Sequence, residues 1–467
     1  MSPAPRAIAI VVAVVMFMGI LEGTIISTAL PHMARDFGVA PVDLGVGITA
    51  YLLVSAMFLP ISSWVAERLG TKRVLMTAIL GFALASLLCG ASHSLTGFVA
   101  ARTLQAFFAS LMVPVANLVL LRVTPKRQLV QMTAISTTPA LIAPVIGPPL
   151  GGFITAAVGW QYIFFINLPL AAIGIALVWR MVPDLRAEVR AAFDLRGFVL
   201  VSAALAGAVL AMEQLGAHPS AWNAPALLAL AAGVTGALAV RHLRRATSPI
   251  VPLAALRHAT FRSIAFGAGF LMRLPFMGQA LLLPLYFQVG FGLSPVATGV
   301  LLLAQNLGDL MLKPIAGAAI TRMGFRRALV TGTTTMIAGI AAIALLDPAM
   351  PFWLLCLVLL AVGAARSIAF TGMMALTFAD VDHGELAGAT VLNNLANALS
   401  AALGISFASL LINVAVGDGG GAGSLADYRR AILCLAAVGA VAIPLFARLP
   451  RDAGAEVSGH RPGTEFA

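Results

Sequence analysis

Fourteen stretches of about twenty apolar residues, separated by short polar links, leave this chain few folds to choose from. They fall at 8–30, 43–62, 74–92, 97–121, 132–157, 161–182 and 195–214, then at 222–243, 264–289, 296–319, 327–346, 351–376, 388–415 and 429–447. A run of that length crosses a ~30 Å hydrocarbon core as a helix, which satisfies its own backbone N–H and C=O groups where no water can. Of the 467 residues 60% are hydrophobic and 10% charged, against about 25% charged in soluble domains. The expected class is all-α, integral to a lipid bilayer.

A formal charge of +11 would suit a nucleic-acid partner, but its distribution argues against one. With the N-terminus in the cytoplasm, fourteen crossings place 22 of the 29 basic residues in inside segments and three (Arg35, Arg429, Arg430) outside. The remaining four lie within spans: Arg102, Arg273, Lys313 and Arg366. This positive-inside bias sets both termini in the cytoplasm, and an odd number of spans would scramble it. Cys89, Cys356 and Cys434 sit inside apolar runs and read as small hydrophobes, not a disulfide framework.

An eleven-residue basic loop occurs twice. Its first copy runs from Ser63 to Arg73 and contains Glu67, Arg68, Gly70 and Lys72; the second runs from Gly317 to Arg327 and contains Arg322, Gly324 and Arg326. Each lies between the second and third runs of a six-run block. Recurrence at one place in two membrane halves marks an internally duplicated carrier, with the substrate path at the repeat interface. The chain divides accordingly into a six-helix bundle (1–183), two inserted spans with cytoplasmic linkers (184–262), a second six-helix bundle (263–449) and a polar, disordered cytoplasmic tail (450–467).

Further motifs carry a resemblance. Leu21-Glu22-Gly-Thr24 leading to Leu30-Pro31, Arg102-Thr-Leu-Gln105, and the stretch Pro144, Gly147, Pro148, Pro149, Gly151, Gly152 stand in spans 1, 4 and 5. Trp160 to Pro169, with Phe164 and Asn167, follows. With the two loops, these residues resemble the fourteen-span drug:proton antiporters of the major facilitator superfamily over essentially the whole chain. Departures include Glu22 where Asp is usual, Ser63 for the loop's Gly, Ala106 for a span-4 Gly, and Thr321 for the acid of the second loop. The resemblance implies a major facilitator fold of two six-helix bundles plus two extra spans. It also implies proton-coupled export of amphiphilic small molecules or drugs by alternating access. A bacterial inner membrane and a monomer are the expected setting.

Glu22 lies about 14 residues into span 1, ~20 Å along the helix at ~1.5 Å per residue. Intramembrane acids mark ion paths, so Glu22 reads as a proton carrier facing a wet cavity, with Arg102 releasing it or holding it charged. The competing reading is a permanent structural pair between the two. In the second half Asp309 and Lys313, four apart, share a helix face and can pair. Asp309 joins Glu22 and Arg102 as a coupling candidate. Arg273, Lys313, Arg366, Asn393 and Asn397 are candidates for the substrate cavity, since by the resemblance spans 1, 4, 9 and 12 line it. Three cations against one acid point toward neutral, zwitterionic or anionic cargo unless backbone carbonyls satisfy some of them. Asn393, Asn394 and Asn397 share a face of span 13, where interhelical hydrogen bonding competes with substrate contact. Glu67, Arg68, Gly70, Arg73, Arg322, Gly324 and Arg327 would form a conformational latch, although the basic residues serve equally as topology determinants. The Pro144–Gly152 stretch reads as a bent, closely packed helix, which by the resemblance would seal one side of the cavity, with ordinary small-residue packing as the alternative.

No phosphate-cradling Gly-Lys loop, zinc-helix motif or nucleophile elbow occurs, so neither an enzyme, a cofactor nor a metal is expected. An ion gradient must supply the energy. The alternatives are a facilitator or symporter of a metabolite, lipid or sugar with Glu22 structural, and a membrane receptor, which would need large soluble segments.

Overall fold

Helix is the only regular secondary structure among the described residues, as a backbone satisfied within hydrocarbon requires. The structure, a computed structural model, describes residues 5–125, 128–185, 192–217, 221–417, 423–450 and 453–458. Lys126, Arg127, Arg186, Arg190, Arg451 and Arg461 therefore lie outside the described residues, as do most of the glycine-rich loop after Gly417 and the tail from 459 onward.

Two compact units emerge. The first holds Met1–Ala208, Leu230–Ile250 and Ser294–Gly299. Its helices begin with α1 (Pro5–Ile25), the short α2 (Leu30–Phe37), α3 (Gly45–Phe58) and α4 (Ile61–Leu69). They continue with α5 (Thr71–Gly90), α6 (Leu95–Val123), α7 (Leu129–Ala157), α8 (Tyr162–Phe165) and α9 (Asn167–Met181). The core gathers Ile8, Val12, Leu75, Phe82, Met112 and Val119 from α1, α5 and α6, with Val178 from α9. On α7 the glycines decide the packing against α1. A Cβ on Gly147 would lie 2.2 Å from Thr24 Oγ1, and one on Gly151 2.2 Å from the Ile25 carbonyl. The prolines at 139, 144, 148 and 149 stand inside the same helix, and the Thr28 hydroxyl donates to the Pro148 carbonyl at 3.3 Å.

The inserted spans are α10 (Leu195–Ala217) and α11 (Asn223–Leu243). The first unit takes α10 as far as Ala208 and α11 from Leu230; the rest of the pair belongs to the second. Asp194 ties the first-unit part together. It accepts from the backbone N–H of Gly197 at 2.9 Å, capping α10, from Ile250 N–H at 3.3 Å, and from the His242 ring at 2.7 Å. Its partial burial alone would raise the carboxyl, yet these donors pull it below the usual carboxylate range.

The second unit holds Val209–Ala229, Val251–Leu293 and Val300–Ala467. It contains α12 (Ala259–Phe266), α13 (Ala268–Leu285), all but the first turn of α14 (Pro295–Ile343), α15 (Phe352–Thr377), α16 (Leu386–Val416), α17 (Leu425–Ala440), α18 (Ala442–Ala447) and α19 (Ala455–Ser458). Span 9 is broken at Gly267 into α12 and α13. Part of the tail is packed, not free: Ala455–Ser458 forms a helical turn, and a Cβ on Gly454 would meet Leu376 and Phe325.

Thirteen described helices are long and apolar enough to span a membrane. One of them, α14, has 49 residues and would extend ~74 Å if straight, more than twice a hydrocarbon core. It turns at Gly324 (φ 74°, ψ 161°), so it is two crossings, consistent with the expected fourteen. Gly70, at the matching place in the first loop, has φ 97° and ψ 134°. Both copies thus use glycine where a side chain would be strained.

Gly70→Ala is expected to cost roughly 1–3 kcal/mol, since its Cβ would also lie 2.2 Å from Asp184 Oδ1. Gly324→Ala should cost about 1 kcal/mol from backbone strain alone. Thermal unfolding of the detergent-purified protein checks both; unchanged midpoints would contradict the shared turn. Asp194 supplies a pH dependence as well. Because its folded-state pKa is lowered, its contribution to stability is present above the ordinary carboxylate range and is lost as pH falls through the lowered value. Asp194→Asn should flatten the acid side of a stability–pH profile relative to the parent.

Candidate functional site

Glu22, on α1, is 1% exposed and lies at the centre of a polar network in the first unit. One carboxylate oxygen accepts from Arg102 Nη1 on α6, and the other from Asn167 Nδ2 at 2.5 Å, at the start of α9. Arg102 Nη1 also donates to Gln105 Oε1 at 2.7 Å, while Gln105 Nε2 and Asn167 Nδ2 both donate to Ser86 Oγ on α5, at 2.6 and 3.2 Å. The Tyr51 ring lies 4.3 Å beneath the guanidinium, and the Phe164 ring 5.9 Å from it. Five helices and α8 therefore converge on one ion pair.

The sequence dictates this convergence step by step. Apolar runs place the helices in hydrocarbon, where a lone carboxylate is costly and draws every polar side chain at its depth. The Trp160–Pro169 stretch sets three of the surroundings. Trp160 Nε1 donates to Asp36 at 2.6 Å, Phe164 covers the arginine, and Asn167 reaches the acid. Charge-assisted bonds of this kind are the strong ones, and removing one partner from such a pair leaves a buried charge uncompensated.

The structure thus brings Glu22 and Arg102 together, and it does so without a wet face. The expectation of a carboxylate open to a cavity is not met in this conformation; its geometry is that of the structural pair weighed against it. Tyr51, Ser86, Gln105 and Asn167 had no assigned role in the sequence. Polar residues inside apolar runs were the signal that pointed to them.

In the second unit the four charges separate differently. Asp309 does not pair with Lys313, four residues on. It turns to Arg366 on α15 at 3.5 Å, because that guanidinium is buried and needs an acid, while Lys313 is exposed and makes no ion pair among the described residues. Arg366 also donates to Asn306 at 2.8 Å and lies 4.9 Å over the Phe276 ring. Asp309 retains 22% side-chain exposure, against 0% for Glu22.

Arg273 is 1% exposed and has no acidic partner among the described residues. It lies 3.5 Å from the carbonyls of Ile264 and Ala265 and 3.3 Å from Asn393 Oδ1. The break of span 9 at Gly267 leaves those carbonyls without helical donors, and Arg273 supplies them. Of the three cations set against one acid in this half, Arg366 meets that acid and Arg273 meets backbone carbonyls, the alternative left open by the sequence. Asn393 makes the interhelical bond expected of it, and Asn397 is half-buried on the same helix.

Of the latch residues, Glu67 accepts from Arg122 on α6 at 2.8 Å, with both about one-third exposed, and Arg68 lies 5.3 Å over Trp64. Arg73, Arg322 and Arg327 are exposed, and Gly70 and Gly324 form the turns. Thr321, in place of an acid, donates to the Ala318 carbonyl, so its position offers no carboxylate to match Glu67. On α7, Gly147 and Gly151 make the close approach described above; Gly152 is buried, and Pro144 and Pro148 lie within the helix.

Comparisons with known proteins agree with this layout. A family model described as the Major Facilitator Superfamily matches residues 12–272 and 265–466. The chain is 33% identical over 453 residues, 95% of each protein, to a "Putative multidrug resistance protein MdtD" of Pectobacterium carotovorum subsp. carotovorum (strain PC1). A protein of the same description from Cronobacter sakazakii (strain ATCC BAA-894) is 33% identical over 456 residues, 95% of this chain and 94% of that one. Among solved structures, a bacterial homologue of the human lysosomal transporter Spinster, inward-facing and unoccupied, matches with TM-score 0.64 at 15% identity, covering 96% of this chain and 97% of the other. The human organic anion transporter MFSD10 matches at TM-score 0.59 and 16% identity, covering 95% and 100%. The two structures speak for the fold alone.

Breaking the first-unit pair should be far more damaging than removing it. Arg102→Ala is expected to destabilise by ~3–5 kcal/mol, and adding Glu22→Leu to Arg102→Met should restore most of the loss. Unfolding midpoints of the single and double variants check this. If both singles were as stable as the parent, the network would not be holding the helices together.

Proposed function

The chain belongs to the major facilitator superfamily, and from that premise we propose that it exports amphiphilic small molecules from a bacterial cell, coupled to proton entry through Glu22. It is a multi-pass membrane transporter; the inner membrane, cytoplasmic termini, a monomeric state and the drug-like class of cargo are part of the proposal. The similarity to multidrug resistance proteins over 95% of the chain supports the cargo class.

The observation that carries the coupling is the composition of the Glu22 network. Ionised Glu22 holds Arg102 and Asn167, and through them α6 and α9, against α1. Protonation removes the charge that Arg102 answers while leaving a group that still hydrogen-bonds. The proton therefore trades against the contacts that lock this conformation. Since Glu22 is sealed here, the cycle needs a second conformation in which it meets water, as alternating access provides. Glu67–Arg122 and the two glycine turns would act as the latch on the inside face, and the Pro144–Gly152 stretch of α7 as the close seal against α1.

One observation favours a second reading. Asp309 is the more exposed of the two deep acids, so it can serve as the carrier with Glu22–Arg102 a fixed clamp.

Transport by the reconstituted protein separates the two. With Glu22→Gln, proton-driven accumulation should vanish while energy-independent exchange survives, and Asp309→Asn should retain accumulation. Undiminished accumulation in Glu22→Gln with loss in Asp309→Asn would replace the first reading by the second.

A further inference from the structure

The inserted span α11 carries an unusual face. Gly236, Ala237, Val240, Arg241, Arg244 and Arg245 line an open groove of about 520 Å³. Their spacing, in adjacent pairs four residues apart, puts all six on one stripe of the helix and its terminal turn. The first half of that stripe is small and apolar, the second half cationic. The other side of the helix end is occupied differently, by the His242–Asp194 bond.

No acid answers the three arginines: among the described residues Arg241, Arg244 and Arg245 make no ion pair. Asp194, the nearby carboxylate, is committed to His242, Gly197 and Ile250. Nor does protein cover the stripe. Only 11% of the α11 span is buried, the lowest share of any candidate span, and Leu227, Leu230, Val234 and Leu238 are exposed along it. Beside Gly236 stands α10, whose Ala204 Cβ lies 3.7 Å from the point a Cβ on Gly236 would occupy. An occupant must therefore be apolar along the helix and anionic at its end.

We propose that this groove holds an anionic phospholipid of the surrounding bilayer, its acyl chain along Gly236, Ala237 and Val240 and its phosphate among Arg241, Arg244 and Arg245. Guanidinium forks suit phosphate oxygens, and basic pockets at a membrane face take such headgroups. The rival explanation is that the arginines serve only to orient the helix, which needs charge but neither a groove nor a bound lipid. The site stands on α11 and its terminal turn, apart from the Glu22 network, and does not depend on what the protein transports.

Native mass spectrometry of the full-length protein, released from mixed micelles containing phosphatidylglycerol or phosphatidylcholine, tests this. The parent should retain phosphatidylglycerol preferentially. Arg241→Gln/Arg244→Gln/Arg245→Gln should bind it on the order of a hundredfold more weakly, from about tenfold per 1.4 kcal/mol and one such interaction of ~1 kcal/mol per arginine. Should that variant fail to insert, Ala237→Leu fills the groove without altering charge and should also lose the retained lipid. Equal retention of both lipids by the parent, or unchanged retention in either variant, would overturn the proposal. A thermal stabilisation reproduced by inorganic phosphate alone would overturn it too, by showing a free-anion site.

Discussion

Hydrocarbon cannot solvate an ion, and the internal design of this protein follows from that constraint. Glu22 and Arg102 answer each other, and Gln105, Asn167 and Ser86 take up further lone pairs and donors around them. Arg366 is met by Asp309, Asn306 and the face of Phe276. Arg273 meets no acid among the described residues and is held by carbonyls that a broken helix exposes. In each case the charge recruits polar groups from neighbouring helices, so a local electrostatic need becomes a tertiary tie. Such ties are costly to break singly and cheap to lose in pairs.

Close backbone approach is the second constraint. Gly147 and Gly151 let α7 press against α1 just beyond the level of Glu22, where any side chain would collide with Thr24 or the Ile25 carbonyl. Gly70 and Gly324 provide the positive φ that turns one span into the next in each half. The same need met by the same residue in both copies is a physical reason for the loop repeat. The two copies differ at the acid position, where Glu67 accepts from Arg122 and Thr321 donates to a backbone carbonyl.

The helical fold was legible because the signals are long and repetitive. Apolar runs and a duplicated turn report on the same architecture, and Gly324 explains why two spans appear as one helix. The pairing of Glu22 with Arg102 was legible as one of two readings, from their similar depth. What sequence did not convey was who shares a partner. Helical spacing made Asp309 and Lys313 neighbours, yet a buried arginine on another helix outcompeted the exposed lysine. Asn167 lay in plain sight within the Trp160 motif, but its contact with Glu22 spans 145 residues and depends on how α9 packs. The sealing of Glu22 likewise belongs to a conformation, which residue types alone do not specify.

The account rests on Glu22 leaving its closed pair with Arg102 during transport. A hydrophobic carbodiimide, which modifies protonated carboxyls in apolar surroundings, reports this directly when labelling of Glu22 is followed by peptide mass spectrometry. Labelling should be negligible in the resting protein and appear when an exported compound and a proton gradient are supplied together. If Glu22 stayed unlabelled while the same preparation sustained proton-driven transport, the pair would be a permanent clamp and the central claim would fail.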